Sequence, residues 1–515
     1  MDGSDQDLTK SPTYMHYRLV SAFVFSMLAA LTLPEAANGQ FDDWPQFRGH
    51  GAQGIANHQD LPDSWDGKSL KNILWRIPVE GLGISSPIVS GEHVFVVTAV
   101  GADDEPSLKV GLYGNIASVE DEGPQSWQLY CLHKSTGEID WIRQLHYGQP
   151  AIKRHTKASH ANATPATDGK HVVVMLGSEG LHCFDVFGNR LWKKDLGHLD
   201  AGFYMAKGAQ WGFGSSPIIH QGRVIVQCDV QDNSFLAALD VHTGHEIWRV
   251  ERDDVPSWGT PAIHEGQRTQ VVVNGFRHSG GYDFWTGKEI WKLAKGGDIP
   301  VPTPIIWKDL LILSSAHGPQ SPLRAVRTNA EGTVSPTDDT SDSLVWSKPR
   351  SGTYMQTPII YEDLLYACTD SGVLSCYEIE TGERVYKKRL GGGGFTASPV
   401  AADGKLYFTS EEGAIHVVRA GREYELIGKN DIGEVCMATP AISSKMMIVR
   451  GRDHVFAVGK IENKYAAPPE FSPARSETST ETMVLTPADF ASHTCPQTRF
   501  QNSHCRRRRC LRQNR

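Results

Sequence analysis

The stretch Ala238-Leu239-Asp240-Val241-His242-Thr243-Gly244-His245-Glu246-Ile247-Trp248 decides the fold. Small, apolar and acidic residues end a strand, and the Asp side chain can bond the backbone of the following turn. Gly supplies the positive φ that such a turn needs. The next strand carries Trp, a large apolar body suited to the wedge between two sheets. The pattern returns at Asp283, Thr286-Gly287 and Trp291, and at Cys131, Thr136-Gly137 and Trp141. Looser copies run through Cys183, Asp185, Gly188 and Trp192, and through Cys376, Glu378 and Thr381-Gly382, where Tyr386 replaces Trp.

A second signal precedes the first in each unit. It is Ser or Thr, then Pro, then a short apolar run: Ser86-Pro87, Thr164-Pro165, Ser216-Pro217, Thr260-Pro261, Thr303-Pro304, Thr357-Pro358, Ser398-Pro399 and Thr439-Pro440. Pro is tolerated at the first residue of a strand, where a missing N–H costs little. The prolines lie 78, 52, 44, 43, 54, 41 and 41 residues apart, so the unit is 41–44 residues with insertions in the first, second and fifth. Four short strands at that period make a propeller blade. The strand Ile73–Ile77 carries a Trp before the first Ser-Pro, and the last unit stops after its third strand, His454–Val458. The N-terminal strand is therefore expected to complete the eighth blade, which removes exposed sheet edges. The expected fold is all-β: an eight-bladed β-propeller of four-stranded antiparallel blades over residues 73–460.

Composition agrees. The 515 residues include 50 Gly, 28 Pro and 13 Trp, with 40% hydrophobic and 21% charged residues, as in a turn-rich globular chain. The net charge is −8. Residues 461–515 hold nine Lys/Arg and five Asp/Glu, so this tail is +4 and the rest is −12. An acidic body argues against nucleic acid and against anionic lipid surfaces. Leu19–Leu33 is an apolar run after Lys10, His16 and Arg18, with Ala37-Asn38-Gly39 behind it. This is the build of a cleaved secretory signal over residues 1–39, with Met15 as an alternative start. Fifteen apolar residues are short for a membrane span, so an exported, periplasmic or extracellular protein without an integral membrane segment is expected. Residues 40–72 should pack on the propeller through Trp44 and Phe47, and the Ser/Thr/Pro-rich tail 461–515 reads as disordered. Cys131, Cys183 and Cys376 fall where other units carry Ala, so they read as small strand residues rather than disulfide partners.

These motifs resemble the PQQ-like (pyrroloquinoline-quinone-like) repeat propellers, whose tryptophan-docking signature is the Ala-x-Asp-x-x-Thr-Gly-x-x-x-Trp pattern. Asp43-Trp44-Pro45-Gln46-Phe47-Arg48-Gly49 looks like the opening of a secreted branch of that family. The resemblance implies two functional classes. Quinoprotein dehydrogenases hold PQQ on the propeller axis beside Ca²⁺, with an Asp base and two adjacent Cys. This chain has no Cys-Cys pair and no Cys-x-x-Cys-His. Outer-membrane assembly scaffolds bind proteins through propeller loops from a lipid anchor, and no Cys lies near the signal cleavage site to carry one.

Function in a propeller lives on its loops. Residues before each Ser/Thr-Pro ring one channel mouth, and His160, Asn162, Trp211, Trp258, Tyr354, Gln356 and Phe395 are its candidate ligand contacts. Arg277 and His317 sit in loops that could approach the same mouth. An acidic loop, about Thr98 to Ser126, holds Asp103, Asp104, Glu105, Glu120, Asp121 and Glu122. A basic run, Lys153-Arg154-His155-Thr156-Lys157, could meet that loop or an anionic ligand. No third metal ligand is placed beside His155 and His160, and no metal site is expected. No nucleophile–base constellation recurs, so no catalytic residue is assigned. The expectation is a monomeric non-catalytic scaffold for a protein, small molecule or polymer, with no cofactor. A PQQ- and Ca²⁺-dependent oxidoreductase and a carbohydrate-binding propeller remain as alternatives.

Overall fold

The computed structural model describes residues 43–101, 106–112, 115–120, 123–317, 320–336 and 342–461. The expected signal segment 1–39 and nearly all of the tail 461–515 lie outside the described residues.

Eight antiparallel sheets follow one another along the chain. Blade 1 runs from the strand Ile88–Ser90 to Ile139–Gly148, blade 2 from Ala166–Thr167 to Arg190–Lys194, and blade 3 from Ile218–His220 to Glu246–Glu251. Blade 4 spans Ala262–His264 to Glu289–Ala294, blade 5 Ile305–Trp307 to Leu344–Lys348, and blade 6 Ile359–Tyr361 to Arg384–Arg389. Blade 7 spans Val400–Ala402 to Leu426–Asp431. Blade 8 takes three strands from Ala441–Gly459 and its outermost from Ile73–Pro78, which pairs antiparallel with His454–Gly459. The N-terminal strand thus closes the ring.

Middle strands are buried on both faces, so their apolar residues run continuously instead of alternating. In His93–Val100, Val94 and Val96 pack with blade 8 while Phe95 and Val97 pack with blade 2. Outermost strands alternate, as in Glu246–Glu251, where Trp248 is buried between exposed neighbours.

The turn motif behaves as its chemistry requires. Asp240 Oδ1 accepts from the Thr243 N–H (2.8 Å) and hydroxyl (2.8 Å), and Asp283 does the same with Thr286 (2.9 and 2.7 Å). Five Trp then dock on the Gly of the next blade: Trp75 on Gly137, Trp141 on Gly188, Trp192 on Gly244, Trp248 on Gly287 and Trp346 on Gly382. The Trp75–Gly137 contact joins blade 8 to blade 1. In four of these pairs the indole N–H also donates to the backbone carbonyl just past the third strand of the next blade, at Lys134, Val241, Phe284 and Ile379 (2.8–3.0 Å).

Blade 4 departs from four strands. The blade 5 insertion sends Gly332–Val334 back to pair parallel with Glu289–Ala294, giving that sheet a fifth strand. Trp291 lies beneath it, fully buried, and does not bond the next blade directly. Its indole donates to Gln270 Oε1 (2.8 Å), and Gln270 Nε2 donates to the Thr328 carbonyl (2.7 Å). The side-chain amide relays the bond that four other Trp make themselves.

Candidate functional site

The Ser/Thr before each Pro has a use that the Pro rule does not reveal. The Ser86 N–H donates to the Thr164 hydroxyl (3.0 Å), Thr164 N–H to Ser216 (2.9 Å) and Ser216 N–H to Thr260 (3.1 Å). The belt resumes with Thr303 to Thr357 (3.0 Å), Thr357 to Ser398 (2.9 Å), Ser398 to Thr439 (3.0 Å) and Thr439 back to Ser86 (3.1 Å). Seven of eight blade junctions carry this bond. The break falls between blades 4 and 5, where the buried Thr303 hydroxyl has no partner among the described residues. That junction is also the one that needs the Gln270 relay. Recurrence of a hydroxyl at eight equivalent positions was the available sequence signal.

Inside the belt lies a cavity of about 680 Å³. Belt residues from seven blades line it, and the residues just before them form its mouth. The N-terminal segment occupies the channel at the other end of the first strands. Trp44 pairs with Val89 of blade 1, the Thr167 N–H of blade 2 donates to the Pro45 carbonyl, and Ile55 bridges to Ala401 of blade 7. Trp44 is buried, and Phe47 reaches the cavity. Arg48 is wholly buried and faces carbonyls only: Ala52, Gln53, Thr357, Pro358 and Pro399 accept at 2.9–3.3 Å. Burial without a carboxylate lowers its pKa to about 9.

Loops from blades 1 and 2 cross the mouth and pair with each other. The Lys109 N–H donates to the Thr156 carbonyl and the Val119 N–H to that of Arg154. Lys153 meets Glu120 (2.6 Å), Arg154 donates to the carbonyls of Ser107 and Ala158, and His155 bonds the Asn115 carbonyl. Lys157 and the Gly111 N–H both bind Glu411 of blade 7, whose side chain is buried and which also accepts from the Thr396 hydroxyl (2.6 Å). The basic run is therefore matched within the chain, partly by the insertion expected to be acidic. Of that insertion's acids, Asp103, Asp104, Glu105, Asp121 and Glu122 lie outside the described residues.

Five candidates line the cavity: Asn162, Trp211, Trp258, Tyr354 and His317. Trp211 is the centre of an aromatic wall, stacked on Phe203 (5.6 Å, 17°) and set against Trp258 (5.6 Å) and His155 (5.4 Å). Its indole donates to the Ile116 carbonyl of the blade 1 loop (2.9 Å). His317 lies 5.2 Å from the Tyr354 ring and pairs with Asp298. The other four are elsewhere. His160 packs edge-on against Trp127 and its carbonyl takes that indole N–H. Gln356 and Phe395 are buried in the channel wall, Phe395 among the apolar residues of blades 6 and 7. Arg277 is exposed and paired with Asp253. Sequence position brought these four near the channel, but the inward or outward turn of each side chain depends on loop geometry. Phe203, Leu112 and Ile116 were missed because they come from insertions that follow no repeat.

A quinone cofactor with Ca²⁺ finds a poor match here. Ca²⁺ takes six to eight oxygen ligands. Among the described lining residues Asp370 is the one carboxylate, and Lys157, the one ammonium, is already held by Glu411. The belt hydroxyls face backbone N–H groups.

A family model described as outer membrane protein assembly factor BamB matches residues 114–318 and 330–422. No curated protein matches the sequence significantly. Among solved structures, a europium-containing methanol dehydrogenase superposes with TM-score 0.56 at 11% identity, over 80% of this chain and 90% of that one. Quinohemoprotein alcohol dehydrogenase from Comamonas testosteroni gives 0.55 at 12%, over 83% and 82%. BamB from Moraxella catarrhalis gives 0.45 at 14%, over 72% of this chain and 100% of that one. At these identities the two dehydrogenase structures share the fold alone. The matched segments make up more than half of the 515 residues, and the chain belongs to the BamB family of PQQ-like repeat β-propellers.

Proposed function

We propose that this chain is an exported, non-catalytic propeller that binds a protein segment or an uncharged polymer at its loop-covered channel mouth. The aromatic wall of Phe203, Trp211 and Trp258 around the 680 Å³ cavity carries this reading. Flat aromatic faces beside a few polar groups favour apolar side chains or sugar rings. Catalysis would ask for a nucleophile beside a base or for two facing carboxylates, and the described lining offers the single carboxylate of Asp370. The leader-like segment Leu19–Leu33 supports export, and among the described residues no helix is long and apolar enough to cross a membrane.

The test titrates the full chain with an unstructured apolar peptide and with a linear glucan oligosaccharide. Tryptophan fluorescence and the unfolding midpoint are read for wild type and for Trp211→Ala. One probe should quench fluorescence and raise the midpoint in wild type alone. Equal responses in both proteins would remove the mouth from the account.

A further inference from the structure

Blade 1 carries a polar cluster on its outer half, away from the channel. Cys131 pairs with Phe95 on one side and Trp141 on the other, and the register then slips so that Leu132 faces Ile139. Asp140 is the extra residue of a bulge, which re-aims its side chain. Its Oδ2 lies 3.2 Å from His93 Nδ1 and 3.9 Å from Cys131 Sγ. One ligand atom from each of the three residues falls within 4.8 Å of the others.

The other blades serve as an internal control. All seven have the same bulge at the same place, and its extra residue is Leu74, Leu191, Ile247, Ile290, Val345, Val385 or Ile427. An aliphatic side chain at every other copy shows what packing alone asks for. Blade 2 comes nearest, with His171 and Cys183 at the matching positions, but its bulge residue is Leu191. Among the described residues, imidazole, thiol and carboxylate meet in blade 1 alone.

We propose that His93, Cys131 and Asp140 form a zinc site on blade 1. Thiolate, imidazole and carboxylate suit Zn²⁺, with a fourth position left for water. His93 and Asp140 are about 30% exposed (29% and 33%), so an ion has a path from solvent, while Cys131 supplies the buried ligand. Burial first, and the neighbouring carboxylate second, push the Cys131 thiol up. A divalent cation lets thiolate and carboxylate carry charge side by side, with the thiol proton released to solvent.

The experiment titrates the reduced full chain with Co²⁺, then displaces it with Zn²⁺. Each variant borrows the residue of another blade at the same position, so each fits the fold: Cys131→Ala (as Ala238), Asp140→Ile (as Ile247) and His93→Gln (as Gln270). Wild type should show thiolate-to-cobalt charge transfer saturating at one equivalent and lost to Zn²⁺. Asp140→Ile and His93→Gln should weaken it at least tenfold, and Cys131→Ala should abolish it, with unfolding midpoints recorded for all. A wild type blind to Co²⁺ reduces the cluster to a His–Asp hydrogen bond and overturns the proposal. So does a band that persists in Cys131→Ala, which would place the thiolate on another cysteine, Cys183 of blade 2 among them.

Discussion

The indole of Trp192 lies so close to Gly244 of the next blade that a β-carbon on that glycine would stand 2.7 Å from the ring. Gly244 also has φ 69°, a left-handed conformation. Gly244→Ala should therefore pay twice: about 1–2 kcal/mol for the backbone and about 1–3 kcal/mol for overpacking. Gly222 is the control. Its φ is 74°, but nothing lies within 4 Å of an added β-carbon, so Gly222→Ala should show the backbone part alone. Urea unfolding of both variants checks the difference.

Gln270 stands between Trp291 and the Thr328 carbonyl. Gln270→Met keeps the length and removes both hydrogen bonds, leaving a buried indole N–H and a carbonyl without partners. A loss of about 2–4 kcal/mol is expected, on the scale of two unsatisfied buried groups. Blades 4 and 5 should then exchange amide hydrogens faster than blades 1 and 2, since they already lack the belt bond. Uniform exchange around the ring would mean that the relay bears no special share.

Arg48 gathers five backbone carbonyls at the closed end of the channel. Arg48→Lys offers three donors from one atom and cannot span them. Destabilisation of about 3 kcal/mol or more is expected. The released segment should become sensitive to limited proteolysis between Trp44 and Trp65 before the blades are cut.

The buried histidines set an acid limit. Burial lowers the His416 pKa to about 4 and that of His182 to about 3, and both ring nitrogens of His416 lack hydrogen-bond partners among the described residues. Each folded pKa lies below the unfolded value near 6.5, so the unfolded chain binds more protons in that window. Stability is full above pH 6.5 and falls as pH drops towards 4. His416→Phe, which copies Phe456 at the same position in blade 8, should reduce the stability lost between pH 6.5 and 4 by an amount on the order of 3 kcal/mol. An unchanged slope would show that carboxylate titration governs acid unfolding.

Legibility followed the repeat. Asp240, Gly244 and Trp248 announced the turn, the φ and the wedge because one local motif needs all three. Ring closure by Ile73–Pro78 followed from counting third strands. The belt was less visible, for the hydroxyl of Thr164 bonds a residue 78 positions away. Asn162, Trp211 and Trp258 were reached from the repeat, since they lie just ahead of their prolines. Phe203 and Ile116 belong to insertions without internal copies, and no periodicity marks which way they turn. Asp140 was hidden for a different reason: only the bulge register sets it beside Cys131 and His93.

The measurement that bears most directly on the binding reading is thermal unfolding of the full chain with and without saturating PQQ and Ca²⁺. A ligand of the folded state must raise the midpoint by mass action. With Asp370 as the one carboxylate among the described lining residues and Lys157 held by Glu411, the midpoint should stay where it is. A rise of several degrees that a chelator reverses would contradict the non-catalytic account and make the mouth a quinoprotein active site.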